Sequence, residues 1–159
     1  MMLRWSALLT VSALVLCSPA QAALAPCNVA YFEYGTLADK LLKAYTDRED
    51  TRGAYEFAKR GAQALDGCIK LSPKSWPLET QFFVELKAAH LYALAGDYGS
   101  KSGVALPTLQ PLYQRSNSLF MDFVAKQTTL QGPPDDYEVL EAKAEIEING
   151  RKLAALHHS

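Results

Sequence analysis

The sequence has few of the residues that carry catalysis. It contains three histidines and three cysteines, and it lacks the H-E-x-x-H, G-x-S-x-G, P-loop, C-x-x-C-H and dinucleotide-binding motifs. Acidic and basic residues are nearly balanced, 17 against 16, which gives no broad attraction to nucleic acid or anionic lipid. The sequence therefore predicts no cofactor, no metal and no nucleic-acid partner, and it favours a non-catalytic protein.

The sequence also lacks a hydrophobic run of the roughly 20 residues that a membrane-spanning helix needs. Its main apolar stretch, residues 8–16, lies between Arg4 and the small-residue triplet Ala20-Gln21-Ala22. A charged start, a short apolar centre and small residues before the cut are typical of a cleavable secretory signal peptide. We expect cleavage after residue 22 and a mature protein, residues 23–159, that is periplasmic or secreted and has no stable membrane insertion.

The three cysteines lie in two different parts of the chain. Cys17 falls inside the expected signal peptide, and its alternative role is lipidation, as in a lipoprotein; Leu16 stands where lipoprotein signals carry a small residue, so removal is favoured. Cys27 and Cys68 remain, and an even pair in an exported chain predicts a disulfide. Closing a loop of about 42 residues stabilises the fold by roughly 4 kcal/mol at most in the chain-entropy model.

Apolar residues recur at helical spacing along the expected mature chain, and no pair of strands is predicted. The polar run at 47–50 and the later proline and glycine signals divide this pattern into helices at about 36–47, 51–72, 78–95, 107–131 and 135–149. The sequence therefore predicts an all-α single domain of about five helices packed as antiparallel hairpins. Residues 150–159 are expected to form a short helical extension or a mobile tail.

Two helix ends are predicted from glycine signals, and one buried stripe is predicted from the spacing of apolar residues. Gly96 is expected to end the third helix in a left-handed conformation, and Asn149-Gly150 is expected to form a turn after the last helix. The apolar residues Tyr137, Leu140, Ala144 and Ile148 recur at three and four positions, so they are predicted to face the core.

Leu71–Tyr98 contains three features of one known repeat. Leu71-Ser72-Pro73 ends one helix, Tyr92 lies inside the next, and Gly96-Asp97-Tyr98 follows it. This stretch resembles a tetratricopeptide helical hairpin. The resemblance implies either such hairpins or an irregular helical bundle, and it implies binding of another protein on a concave face that would carry Phe83, Lys87 and His90. The structural alternative is a core Phe83, a solvated Lys87 and a partly buried His90.

The leading hypothesis is an exported, non-catalytic protein-binding module or adaptor. One alternative is an inhibitor or immunity protein for an envelope-acting enzyme, and another is a small hydrolase that uses Glu85 and His90. Glu138, Glu141 and Glu145 share one helix face by their spacing, which predicts a solvated acidic face or a contact for a basic partner. The adjacent His157 and His158 lack a spaced third metal ligand, and they are expected to lie in the terminal segment.

Overall fold

The computed structural model describes residues 27–71, 76–130 and 136–157. A helical turn at 27–30 continues into a π-helical segment, Tyr31–Thr36, and five α-helices follow: α1 Ala38–Thr46, α2 Thr51–Leu71, α3 Leu78–Lys101, α4 Leu106–Thr129 and α5 Tyr137–His157. The described ranges contain no strand. The predicted all-α fold of about five helices is confirmed, while the signal peptide and Cys17 lie outside the described residues.

Each α-helix packs mainly against the helices before and after it in the chain. α3 lies against both α2 and α4, α5 packs on α4, and α1 with the π-helical segment packs on α2. Buried side chains from all of these elements form one hydrophobic core. Within the described ranges, none of these helices is both long enough and apolar enough to cross a membrane.

The N-terminal segment is joined covalently to α2. Cys27 and Cys68 form a disulfide, with their Cα atoms 5.4 Å apart and a sequence separation of 41, so the predicted pairing is confirmed. Both cysteines are buried in the core. The segment is also held by its aromatic residues, since the ring of Tyr34 packs 5.2 Å from that of Phe57 on α2. The disulfide and the aromatic contact together fix where α1 can lie.

The prediction that Gly96 ends the third helix is wrong. α3 continues to Lys101, and the left-handed residue is Gly103, with a φ of 73°. A Cβ at Gly96 would lie 2.4 Å from Cζ of Tyr113 on α4, which is far inside van der Waals contact. Gly96 is therefore required for close approach of α4. The Tyr113 hydroxyl then donates a hydrogen bond to Asp97 at 2.8 Å.

The predicted turn and buried stripe of the last helix are also wrong. α5 runs through Asn149 and Gly150 to His157. Residues 150–157 therefore form the helical extension that was one of the two expectations for the end of the chain. Tyr137 is 75% exposed and Leu140 is 50% exposed. The helix instead packs inward through another set of residues at helical spacing: Val139, Ala142, Ile146, Asn149, Leu153 and Leu156. Asn149 can occupy this stripe because its amide Nδ2 donates to Ser116 Oγ at 3.0 Å.

An ion pair between a buried aspartate and a partly exposed arginine joins α2 to α4. Asp66 is 5% exposed, and the Arg115 guanidinium donates to both of its carboxylate oxygens, at 2.6 Å and 3.0 Å. The Tyr92 hydroxyl and the Lys70 ammonium each donate to Asp66 at 3.3 Å. Burial alone would raise the pKa of Asp66, but the hydrogen bonds and charges of Arg115 and Lys70 outweigh it and lower that pKa. Asp66 is therefore ionised at neutral pH.

Candidate functional site

The three residues that the resemblance selected lie on one face of α3. Phe83, Lys87 and His90 are spaced by four and three, which places them on one side of a helix. The neighbours of this face come from three directions: Tyr31 packs against Phe83, Asp39 of α1 pairs with Lys87, and the acids of α5 lie near His90. We call the channel that α3 floors, between the N-terminal elements and α5, the α3 groove.

The α3 groove opens into a cleft of about 460 Å³ at the start of α3. Its apolar part is formed by Tyr31, Phe82 and Phe83, and the ring centroids of Tyr31 and Phe83 are 5.6 Å apart. Its polar part is formed by Glu79, Gln127 and Glu138, from α3, α4 and α5 respectively. This volume lies within the range of ligand-binding pockets, about 300–1,000 Å³. The cleft can hold one large side chain of a partner against an aromatic surface.

Phe83 is partly exposed although it is large and apolar, with 38% of its surface accessible. The N-terminal segment approaches it closely, because a Cβ at Gly35 would lie 3.2 Å from the Phe83 ring. The segment therefore covers one edge of the ring and leaves another edge open to the cleft. An exposed aromatic residue in a concave site is a frequent anchor for a partner, because it offers contact area at a small entropic cost.

Lys87 forms the ion pair that joins the floor of the groove to α1. Its ammonium lies 3.1 Å from the Asp39 carboxylate, and the Lys87 side chain is 20% exposed whereas that of Asp39 is 83% exposed. A pair that is this open to solvent contributes about 1 kcal/mol or less to stability. Its larger effect is on charge, because Asp39 neutralises the lysine on the floor of the groove.

His90 lies deeper in the groove and is neutral at pH 7. Its ring meets Phe120 of α4 edge-on, with centroids 5.0 Å apart. Burial lowers the pKa of His90, and the nearby carboxylates of Glu141 and Glu145 oppose this shift without reversing it. His90 therefore offers an uncharged hydrogen-bonding ring at neutral pH.

The α3 groove is negatively charged, because its two walls and its floor carry carboxylates. Glu79 and Glu138 line the cleft, and Glu141 and Glu145 face His90 from α5. Lys87, the cation within this set, is already paired with Asp39. Around an aromatic floor, the groove thus has four acids without an ion-pair partner among the described residues, which favours a partner that carries positive charge.

The residues of the hydrolase alternative do not meet. Glu85 is 3% exposed, and its Oε1 accepts a hydrogen bond from Lys126 of α4 at 2.5 Å. The charged residues that act on Glu85 are Lys126, Asp122 and Arg115, whereas those that act on His90 are Glu141, Glu145, Lys87 and Asp39. The two side chains therefore have different charged neighbours. Among the described residues, no three His, Cys, Asp or Glu side chains converge as metal ligands.

The sequence reasoning missed the residues that close the cleft from outside α3. Tyr31 and Gln127 were not selected, although Tyr31 belongs to a group of aromatic residues near Cys27. The acidic face of Glu138, Glu141 and Glu145 was recognised, but its position opposite Phe83 and His90 depends on how α5 turns toward the core. Comparison with protein-family models, with curated proteins and with solved structures found no match for this chain.

Proposed function

We propose that this protein is an exported, non-catalytic binding module whose α3 groove holds a basic segment of another protein. The observation that carries this proposal is the combination of an open aromatic pair, Tyr31 and Phe83, with the surplus of carboxylates around it. An apolar side chain of the partner would lie on the aromatic floor. Lysine or arginine side chains beside it would pair with the acids of α5.

Two further observations support this proposal. The sequence pattern of residues 1–22 is typical of a signal peptide and supports export, and the Cys27–Cys68 disulfide is compatible with an oxidising compartment. The resemblance of Leu71–Tyr98 to a tetratricopeptide hairpin agrees with helices that pack mainly on their sequence neighbours. In tetratricopeptide repeats such an arrangement leaves a concave surface along alternate helices, which in this chain would be α1, α3 and α5.

The charge of the partner can be tested by reversing the charge of one wall. We would capture partners from a cell-envelope extract by chemical cross-linking to the disulfide-intact mature protein and quantify them by mass spectrometry. The Glu138→Lys/Glu141→Lys variant should capture at least about tenfold less of the main partner protein, because like charges that face each other across an interface are strongly destabilising. High salt should weaken the same capture less than the charge reversal does, since the aromatic contacts remain.

The matched control carries the same change in net charge outside the groove. Glu56 and Glu147 are exposed and do not line the cleft, so Glu56→Lys/Glu147→Lys should capture the partner as well as the unmodified protein does. Equal losses in both variants would mean that only overall charge matters, which contradicts a specific groove. If the captured protein is an envelope enzyme that loses activity on binding, the same groove serves the inhibitor alternative.

A further inference from the structure

A second cleft lies between the first turns of α3 and the last turns of α4. This cleft has a volume of about 400 Å³, and its walls are mainly apolar: Leu78, Phe82, Ala125 and Leu130. Three polar side chains, Gln81, Lys126 and Thr129, complete it. An apolar cleft of this size with few polar groups has the composition of a small-molecule site.

A small recess adjoins this cleft and shares two of its walls. The recess has a volume of about 20 Å³, and it is lined by Gln81 and Lys126 together with Ile69, Trp76 and Glu85. A space of about 10–15 Å³ or more is enough for one group the size of a water molecule. The recess can therefore take one oxygen atom of a ligand, whereas the larger cleft takes its apolar body.

The recess is bordered by a buried carboxylate that has spare hydrogen-bonding capacity. Glu85 is 3% exposed, and its Oε1 accepts from Lys126 at 2.5 Å. Its other oxygen, Oε2, is buried and has no hydrogen-bond partner among the described residues. Gln81 does not supply one, because its amide nitrogen donates to the carbonyl of Trp76 at 2.8 Å. Leaving a buried acceptor without a donor is costly, so a ligand that brings a donor gains affinity there.

The chemistry of the pair restricts the polar group of the ligand. A hydroxyl can donate to Glu85 Oε2 and also accept from the Lys126 ammonium, since it is both donor and acceptor. A ligand ammonium would be repelled by Lys126, and a ligand carboxylate would be repelled by Glu85. We propose that this cleft binds a small uncharged amphiphile, an apolar body that ends in a hydroxyl group, with the hydroxyl between Glu85 and Lys126.

This proposal rests on polar groups that the α3 groove does not use, although Phe82 lines both clefts. At 100° per residue, positions 81 and 85 lie about 120–180° around α3 from positions 79, 83 and 90. A small ligand in this cleft would therefore leave Phe83 and His90 accessible. Failure of one proposal leaves the other standing.

The test compares four probes that share one benzene ring and differ in the attached group. Benzyl alcohol, ethylbenzene, benzylamine and benzoate would be titrated into the uniformly ¹⁵N-labelled protein, and amide shifts would be followed by NMR. Benzyl alcohol should shift residues 78–82 and 125–130 and bind at least about fivefold more tightly than each of the other three, the value of one net hydrogen bond. Equal or tighter binding of another probe, shifts elsewhere, or no shifts would overturn the proposal.

Two variants separate the hydroxyl contact from the apolar contact. Glu85→Met removes the acceptor at similar volume, and it should abolish the preference for benzyl alcohol over ethylbenzene. Ala125→Trp fills the cleft from an exposed position on α4, so it should abolish binding of all four probes even if Glu85→Met fails to fold. Met121→Trp, at another exposed position on α4, is the matched control and should bind as the unmodified protein does. Retained binding in Ala125→Trp would place the probes elsewhere.

Discussion

Removing the arginine of the buried pair between α2 and α4 should destabilise the protein far more than removing an exposed arginine. In Arg115→Met, the Asp66 carboxylate loses two hydrogen bonds, of 2.6 Å and 3.0 Å, while it remains buried. Breaking a buried pair in this way costs about 3–5 kcal/mol. The Arg115 side chain is 33% exposed, so solvent screens the pair in part and we expect a loss of about 3 kcal/mol.

The free energy of unfolding would be measured by urea titration with circular dichroism at neutral pH. The matched control is Arg52→Met, which removes the exposed pair of Arg52 with Glu56, whose side chains are 63% and 47% exposed. That change should cost about 0.5 kcal/mol or less. A loss below about 1 kcal/mol for Arg115→Met, or equal losses for the two variants, would refute the reasoning.

The pH dependence of the same experiment tests the electrostatic origin of the effect. The folded-state pKa of Asp66 is lowered, so the pair stabilises the folded protein fully above the unfolded pKa of about 3.9 and loses this contribution as pH falls through the folded pKa. Without Arg115, only Lys70 still opposes the effect of burial, so the pKa of Asp66 should be higher than in the unmodified protein. The deficit of Arg115→Met should therefore shrink as the pH is lowered from 7 toward about 3. A deficit that does not change with pH would mean that lost packing, not charge, causes it.

Three other changes test the helix packing by the same urea titration. Cys27→Ser/Cys68→Ser should lower the free energy of unfolding by up to about 4 kcal/mol, and no loss would mean that the disulfide does not hold the N-terminal segment. Gly96→Ala should cost about 1–3 kcal/mol because its Cβ would meet the α4 ring, whereas Gly150→Ala, which meets nothing within 4 Å, should gain up to about 1 kcal/mol in helix propensity. Asn149→Ala should cost about 1 kcal/mol, because it removes one buried hydrogen bond and the Asn149 Oδ1 has no partner among the described residues. A neutral result would favour the turn that the sequence suggested.

The sequence was a good guide wherever one local signal decides the structure. The start of α2 at Thr51 follows from the polar run at 47–50, which interrupts the helical spacing of apolar residues. The side chain that caps this helix is Asp50, which accepts from the Gly53 amide at 2.7 Å. The Cys27–Cys68 disulfide follows from the number of cysteines that lie outside the expected signal peptide. These features depend on residues that are close in the sequence or on simple counting.

The sequence misled wherever a residue's role depends on another helix. Gly96 has the local signature of a helix end, but the Tyr113 ring on α4 explains why it is glycine. Asn149 has the signature of a turn, but Ser116 on α4 gives its amide a buried partner. With a turn predicted at Asn149-Gly150, Asn149 is not part of the buried stripe, and the apolar spacing instead predicts that Tyr137 and Leu140 face inward. The same error concealed how the acids of α5 come to face α3.

The sequence singled out residues on the floor of the α3 groove, but it did not predict which residues form the walls. The helix-pair resemblance selected Phe83, Lys87 and His90, and the structure puts them on one face of α3. Tyr31 and Asp39 reach that face because the disulfide and Phe57 hold the N-terminal segment against α2. No pattern within a single helix contains this information.

Site-specific photo-cross-linking from the floor of the groove tests the proposed function most directly. Phe83→p-benzoylphenylalanine places the reactive group in the cleft, and the same replacement at the exposed Met121 of α4 serves as the control. We expect Phe83 to yield one dominant cross-linked protein in envelope extract, attached within a segment rich in lysine or arginine, and Met121 to yield none of it. Identical products from both positions, or attachment to an acidic segment, would contradict binding in the α3 groove.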